Sequence, residues 1–235
     1  MNQDKFIEEC KKINIEITDE ILSKLIRYKD LLIKWNKKFN LTTIVLDEDI
    51  FLKHFYDSLC ITKAIQFDNQ KLCDFGTGAG FPGIVLAIVF NDLDVTLMES
   101  NNKKITFLEA VKDELNLNNV SIICSRTEDY GKINRDIFDI VTCRAVSNLN
   151  IILELASPIL KVNGLFIPMK SNIDEEFEIA KKNIDKLSFK LLNVIEYFLP
   201  LENSKRTILV FNKIRKTEIK YPRNYNIIKK ESIMK

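Results

Sequence analysis

The sequence predicts an α/β fold: a mostly parallel, doubly wound sheet whose last strand runs antiparallel, preceded by a region of helices. Three observations carry this. Residues before Gly76 contain no glycine and no proline, and their apolar side chains recur at helical spacing. From Lys71 onward, short β-type runs alternate with amphipathic segments, the pattern of a parallel sheet covered by helices. The first of those runs ends in Asp74-Phe75-Gly76-Thr77-Gly78-Ala79-Gly80, and doubly wound sheets bind nucleotides at the carboxyl end of that strand.

Taken in order, residues 4–66 read as long helices with short polar joints. Thr18-Asp19-Glu20 supplies a capping signal before Ile21, Leu22, Leu25, Ile26, Leu31, Leu32 and Trp35. Asp47-Glu48-Asp49 stands likewise before Ile50, Phe51, His54, Phe55 and Leu59. Strands are expected at 72–75, 94–98, 120–124, 138–143, 164–170, 191–198 and 207–212, with helices near 83–90, 101–117, 148–160 and 173–186. The last two strands follow one another directly, so a hairpin brings in the antiparallel strand. The chain after Lys213 reads as irregular. The expected organisation is a helical region over 1–70, a cofactor-binding domain over 71–214 and a basic tail over 215–235.

Hydrophobic residues make up 46% of the 235 and charged residues 29%, enough apolar material for a sizeable core. The longest apolar run, Phe81 to Phe90, contains Pro82 and Gly83 and is too short to span a bilayer. No basic start with an apolar stretch opens the chain, so a cytoplasmic location is expected. The five cysteines form no C-x-x-C pair, and buried reduced thiols are expected rather than a disulfide or a metal site. Charge is uneven. Residues 1–70 carry a net −1, residues 71–199 a net −4 and residues 200–235 a net +7. A basic end on a near-neutral body suits a polyanionic partner, and a solvated lysine-rich terminus suits the charge equally.

The glycine turn predicts a nucleotide cofactor, because residues without a Cβ let the backbone approach a ligand. The glycines alone leave its identity open. Gly78-Ala79-Gly80-Phe81-Pro82-Gly83 fits the dinucleotide G-x-G-x-x-G pattern, so an NAD-dependent oxidoreductase stays in view. Glu99, about twenty residues on, can accept ribose hydroxyls of either cofactor. Two features favour S-adenosylmethionine: Asp74 two residues before the first glycine, and a short G-x-G-x-G with no pyrophosphate to cradle. An oxidoreductase also needs a proton relay, and the one Y-x-x-x-K match, Tyr225 to Lys229, lies in the tail. A third contact is expected after strand three, at Thr127 and Glu128. A non-catalytic RNA-binding protein that keeps this fold is the remaining alternative, against which the intact Gly76, Gly78, Gly80 and Glu99 speak.

Strand four ends Asp139-Ile140-Val141-Thr142-Cys143-Arg144-Ala145. The D/N-P-P-Y/F turn of enzymes that methylate exocyclic amines is missing there. Cys143 lacks the preceding proline of a pyrimidine C5 nucleophile and reads as a buried strand residue. Arg144 is one of only 7 arginines among 35 basic residues, and its rigid charged fork can orient a base, a phosphate or a carboxylate. Transfer to a ring nitrogen such as guanine N7 needs alignment and no general base, which suits a chain with one histidine.

With these pieces in view, the sequence resembles the bacterial 16S rRNA guanine-N7 methyltransferase family, RsmG or glucose-inhibited division protein B. The resemblance runs through Trp35-Asn36-Lys37-Lys38-Phe39-Asn40-Leu41-Thr42-Thr43, His54-Phe55-Tyr56-Asp57-Ser58, the turn from Asp74 to Gly83, and Glu99-Ser100. It continues through Lys103 to Leu108, Ser125-Arg126 with Glu128, Cys143-Arg144-Ala145-Val146 and Met169-Lys170. It implies a Rossmann-like class I sheet and methylation of guanine 527 in 16S rRNA or the small ribosomal subunit; a monomer with no obligate protein partner is the simpler expectation. Carried over by position, the resemblance implies cofactor contacts at Gly76, Phe81, Thr127, Glu128 and Arg144, with Glu99 on the ribose; the turn and the strand end themselves add Asp74, Gly78, Gly80 and Ser100, and Arg144 and Lys170 are expected at the reacting centre, with no metal. Glu99 replaces the family's usual aspartate, and Asn224-Tyr225-Asn226-Ile227 replaces its usual Pro-Gly-Thr-Pro. His54 is expected to be structural, since N7 needs no base.

Overall fold

The computed structural model describes residues 1–171 and 173–233. The chain opens with α1 (Gln3–Lys12) and α2 (Asp19–Phe39). Thr18 caps α2 as the sequence predicts, its hydroxyl accepting the Ile21 N–H at 3.3 Å. Asn40 ends α2 in the left-handed conformation. A third helical rod follows without a break: α3 (Asp47–Asp49), a π-helical stretch (Ile50–Tyr56), α4 (Asp57–Leu59) and a 3-10 turn (Cys60–Lys63). Helix is the expectation here, whereas the π segment carries no sequence signal. Such segments often mark functional positions, and this one holds Lys53 and His54.

The sheet has seven strands in the order β3-β2-β1-β4-β5-β7-β6. These are β1 (Lys71–Phe75), β2 (Asp94–Glu99), β3 (Val120–Cys124), β4 (Phe138–Arg144), β5 (Leu160–Lys170), β6 (Phe189–Phe198) and β7 (Lys205–Lys213). The first five pair in parallel. β7 runs antiparallel to both neighbours, so the β6–β7 hairpin folds back and seats the last strand of the chain inside the sheet, with β6 at the edge. Between strands lie α5 (Gly83–Val89), α6 (Asn102–Glu114), α7 (Thr127–Ile133), α8 (Leu149–Ile159) and α9 (Asp174–Ile184). The sequence predicts no helix at α7, yet a short one begins there at Thr127.

Alternation along the strands sorts the core into two layers. Leu72, Val95, Leu97 and Ile140 face a layer shared with Phe6, Leu25, Tyr28, Phe55 and Phe107. Cys73, Phe75, Met98 and Val141 face Leu149, Leu153, Leu155 and Ile228. The N-terminal helices therefore cover the same sheet face as α5 and α6. Among the described residues, no helix is long and apolar enough to cross a membrane.

Two expectations need correction. The chain beyond Lys213 is not irregular: α10 (Tyr225–Ile233) packs on α8 and buries Ile228 completely. Arg135 ties the approach to it through the carbonyls of Thr217 (2.9 Å) and Tyr221 (2.7 Å). Residues 234–235 of that expected tail lie outside the described residues. Of the cysteines, Cys10, Cys60, Cys73 and Cys143 are buried, but Cys124 is exposed at the end of β3.

Candidate active site

β1 lies between β2 and β4, at the point where strand order reverses, and the crevice of a doubly wound sheet opens there. The glycine turn leaves β1 at this point. A Cβ on Gly76 would stand 2.8 Å from Val146, one on Gly80 2.7 Å from Ile84 and from the Tyr28 hydroxyl, and one on Gly83 2.3 Å from Leu97. Those three glycines are needed for packing. Gly78 differs: at φ +65° its nearest atoms would be 3.9 Å away, so it is bare beside open space.

Asp74 lies fully buried beneath the turn. Its Oδ2 accepts the Thr77 hydroxyl at 2.6 Å and the Gly83 N–H at 2.9 Å, which holds both ends of the turn together. Its Oδ1 has no hydrogen-bond partner among the described residues. Burial raises its pKa to about 7, against the lowering effect of Thr77, Gly83 and Arg144. Glu99 closes the turn from β2. Its carboxylate accepts N–H groups from Gly78 (3.1 Å), Ser100 (2.8 Å) and Asn101 (2.9 Å), which leaves lone pairs for a further donor. Lys104 stands 3.7 Å away. Ser125 N–H donates to the Glu99 carbonyl at 3.0 Å and so brings the start of α7, with Thr127 and Glu128, to the same edge.

Across the turn, Phe81 packs behind two residues that line a second compartment. His54 stacks on its ring at 4.1 Å between centroids, and the Arg144 guanidinium lies 5.3 Å from the same ring. Beyond them opens a cavity of about 360 Å³ lined by Lys53, His54, Asp57, Arg144, Tyr197 and Arg206, among others. Lys170 contributes from the end of β5.

Arg144 is not a free fork. It donates to the Lys53 carbonyl at 2.9 Å and Asp57 Oδ2 at 3.0 Å, and a further N–H meets His54 Nδ1 at 3.2 Å. Asp57 is the hub: Tyr197 donates to its Oδ1 at 2.7 Å, and Arg206 reaches Oδ2 at 3.5 Å. His54 is held neutral. Burial and the Arg144 charge lower its pKa to about 3. An imidazole that accepts from Arg144 at Nδ1 carries its proton at Nε2 and donates it to the Thr42 hydroxyl, 3.0 Å away. These two bonds tie His54 between the end of β4 and Thr42. Lys170 is also engaged, with the Ser147 carbonyl at 2.8 Å and Glu176 at 2.9 Å. Burial keeps the Cys143 thiol protonated. Among the described residues, no group of three or more His, Cys, Asp or Glu side chains is placed to hold a metal ion.

The structure therefore gathers Asp74, Gly76, Gly78, Gly80, Glu99 and Ser100 at the turn, and Arg144 and Lys170 on the cavity, with Arg144 also against the Phe81 ring. Sequence reasoning missed Tyr28, Tyr197 and Arg206 and did not give Asp57 its central place. Tyr28 is fully buried in α2 and donates to the Ala79 carbonyl inside the turn. Its helical spacing marks it as core and says nothing of that bond. Asp57 stands three residues after His54, the one local signal available.

Comparison with known proteins adds the following. The sequence profile of rRNA small subunit methyltransferase G matches residues 21–208. The ribosomal RNA small subunit methyltransferase G of Lysinibacillus sphaericus (strain C3-41) is 41% identical over 239 residues, covering 99% of this chain and 100% of that protein. The protein of the same name from Bacillus subtilis (strain 168) is 40% identical, covering 95% of each chain. Among solved structures, a SAM-dependent methyltransferase from Aquifex aeolicus superposes with a TM-score of 0.57 at 15% identity, covering 74% of this chain and 97% of that one. TYW2 of M. jannaschii, in complex with AdoMet, gives 0.52 at 21% identity, covering 64% and 72%. These two likenesses concern the fold.

Proposed function

Since the chain belongs to the rRNA small subunit methyltransferase G family, we propose that it transfers a methyl group from S-adenosylmethionine to N7 of guanine 527 in 16S rRNA. The observation that carries this reading is the adjacency of two compartments at one ring. A bare glycine turn with a carboxylate meets, at Phe81, a cavity that holds no free base among the described residues. The oxidoreductase and the non-catalytic RNA-binding protein give way to family membership. Tyr225 and Lys229 lie in α10, which packs on α8 in the layer away from α5 and α6.

The turn fits the cofactor on its own features. Gly78 offers bare backbone to open space, Asp74 Oδ1 lacks a donor among the described residues, and Glu99 keeps acceptor capacity. Gly76, Gly78, Gly80 and Phe81 would hold the cofactor along the turn, Glu99 and Ser100 at its ribose, and Thr127 and Glu128 at its adenine. When bound, S-adenosylmethionine supplies a methyl group activated by the sulfonium charge.

The chain's own residues position the acceptor. Guanine N7 carries a free lone pair, so no proton need leave before attack, and alignment supplies the catalysis. The cavity suits that division of labour. His54 keeps its only basic nitrogen on Arg144, Asp57 is occupied by donors, and Cys143 is protonated. Arg144 lines the cavity and lies against the Phe81 ring of the turn, while Arg206, held to the Lys205 carbonyl at 2.9 Å and to Asp57 at 3.5 Å, keeps further guanidinium N–H donors for the base. The chain works as a cytoplasmic monomer with no obligate protein partner. Incubation with labelled S-adenosylmethionine and small-subunit rRNA, followed by nucleoside mass spectrometry, is expected to yield 7-methylguanosine at a single site. Label in another nucleoside would overturn the reading.

A further inference from the structure

We infer that the RNA backbone docks on a lysine face where the C-terminal end of α2 meets the N-terminal end of α6, and not on the basic C-terminal segment. The inference rests on the reading of rRNA as substrate and says which surface holds it.

Two contacts fix how these helices run. Arg27 pairs with Glu114, and Trp35 packs on Phe107 at 6.0 Å between centroids. Moving from residue 27 to 35 along α2 therefore runs from 114 to 107 along α6, so the helices are antiparallel. The same register carries Lys37 and Lys38 to the level of Lys103 and Lys104. Lys34, Lys37 and Lys38 share one face of α2 through spacings of three and four. Lys34, Lys37, Lys38 and Lys103 are all exposed. None has a carboxylate partner among the described residues. Lys38 instead lies over the Trp35 ring at 6.0 Å. Lys103 and Lys104 stand in the first turn of α6, where the helix dipole disfavours cations. Lys104 has the Glu99 carboxylate at 3.7 Å, whereas helix stability does not account for Lys103 there, and a polyanion does.

The face is joined to the acceptor cavity. Asn36, among these lysines, exchanges two 2.9 Å hydrogen bonds with the Thr42 backbone. The Thr42 hydroxyl meets His54, which lines the cavity. Phosphates held on the lysine face thus belong to nucleotides close to the one that enters.

The C-terminal segment has the larger formal charge, but six of its basic residues are paired, which leaves Lys216, Lys229 and Lys230 without a carboxylate partner among the described residues. Lys205 pairs with Glu196, Arg206 with Asp57, Lys213 with Asp136, Arg215 with Asp185, Lys220 with Glu218 and Arg223 with Glu154.

Two charge-reversed proteins test this. One combines Lys34→Glu, Lys37→Glu, Lys38→Glu and Lys103→Glu. The other combines Lys216→Glu, Lys229→Glu and Lys230→Glu on the exposed C-terminal lysines. The probe is a 16S rRNA transcript titrated at several salt concentrations, with S-adenosylhomocysteine calorimetry as the check on folding. The first variant is expected to lose about tenfold or more in RNA affinity, with a salt slope shallower by about one for each phosphate that is no longer neutralised. Its S-adenosylhomocysteine affinity stays that of the unaltered protein. The second is expected to stay within about twofold. Unchanged RNA affinity in the first variant, or a greater loss in the second, overturns the inference. An unaltered protein that methylates no small-subunit rRNA defeats the underlying reading instead, so the two failures are distinct.

Discussion

The glycine turn and the cavity beside Arg144 meet at Phe81, yet they are built on different principles. The turn draws on residues from Asp74 to Gly83 and is shaped by what is missing, since added methyl groups at Gly76, Gly80 and Gly83 meet neighbours below 3 Å. The cavity draws on the π-helical stretch, β4, β6 and β7 and is shaped by what is present, a carboxylate shared among Arg144, Arg206 and Tyr197. The turn should therefore fail by steric conflict and the cavity by unbalanced charge.

Asp57→Ala is the strongest test of that difference. The Asp57 side chain is 5% exposed, and its loss leaves two guanidinium groups and a buried phenol unmatched. Breaking a buried pair by removing one partner costs about 3–5 kcal/mol. Urea denaturation should show a loss in that range, with RNA methylation abolished. Loss of less than about 1 kcal/mol, the value of a surface pair, would mean that charge does not shape the cavity.

Acid–base behaviour separates the two sides next. Asp74, in the turn, titrates at about 7 when folded against an ordinary 3.8. The folded state holds its proton longer, so this group lowers stability as pH rises from 3.8 towards 7. His54, in the cavity wall, titrates at about 3 against an ordinary 6.5. The unfolded state binds its proton more readily, so this group raises stability as pH climbs from about 3 to 6.5. The two oppose each other between 3.8 and 6.5. Asp74→Asn should leave the rise alone and His54→Gln the fall, each on the order of a few kcal/mol across its window. Denaturant midpoints against pH measure both, and parallel profiles in the two variants would refute the assignment.

Gly83→Ala comes third. Its methyl group would sit 2.3 Å from Leu97 and 3.0 Å from Asp74 Oδ2. Overpacking of this kind costs about 1–3 kcal/mol, and thermal unfolding should report it. A neutral result would show that β2 gives way easily and that the turn is less rigid than the cavity.

This contrast explains how much of the molecule is legible in the sequence. Strands and most helices declare themselves by period, and the turn by glycines within ten residues of one another, so both are readable. The cavity is not. Tyr197 lies 140 residues from Asp57 and Arg206 lies 149. They meet only because the β6–β7 hairpin returns β7 to the side of β5. Nothing near either residue marks it as polar lining. The charge of the C-terminal segment misleads for a similar reason. A residue count records Arg223 as free charge, and only the fold reveals that Glu154 cancels it.

Gly78→Ala should have the smallest effect on stability and the most selective effect on function. A Cβ there meets nothing nearer than 3.9 Å, so the only conformational cost is φ +65° for a residue with a side chain, about 1–2 kcal/mol. The same Cβ would project into the space beside Lys104 and the Glu99 carboxylate, where the proposed cofactor site meets bare backbone. Calorimetry with S-adenosylhomocysteine should therefore show a loss of about tenfold or more, larger than destabilisation alone explains in a protein still fully folded at the temperature of measurement. Gly76→Ala supplies the contrast, because its methyl group strikes Val146 and both stability and binding should fall together. If Gly78→Ala binds S-adenosylhomocysteine as tightly as the unaltered protein, the open side of the turn is not the cofactor's side.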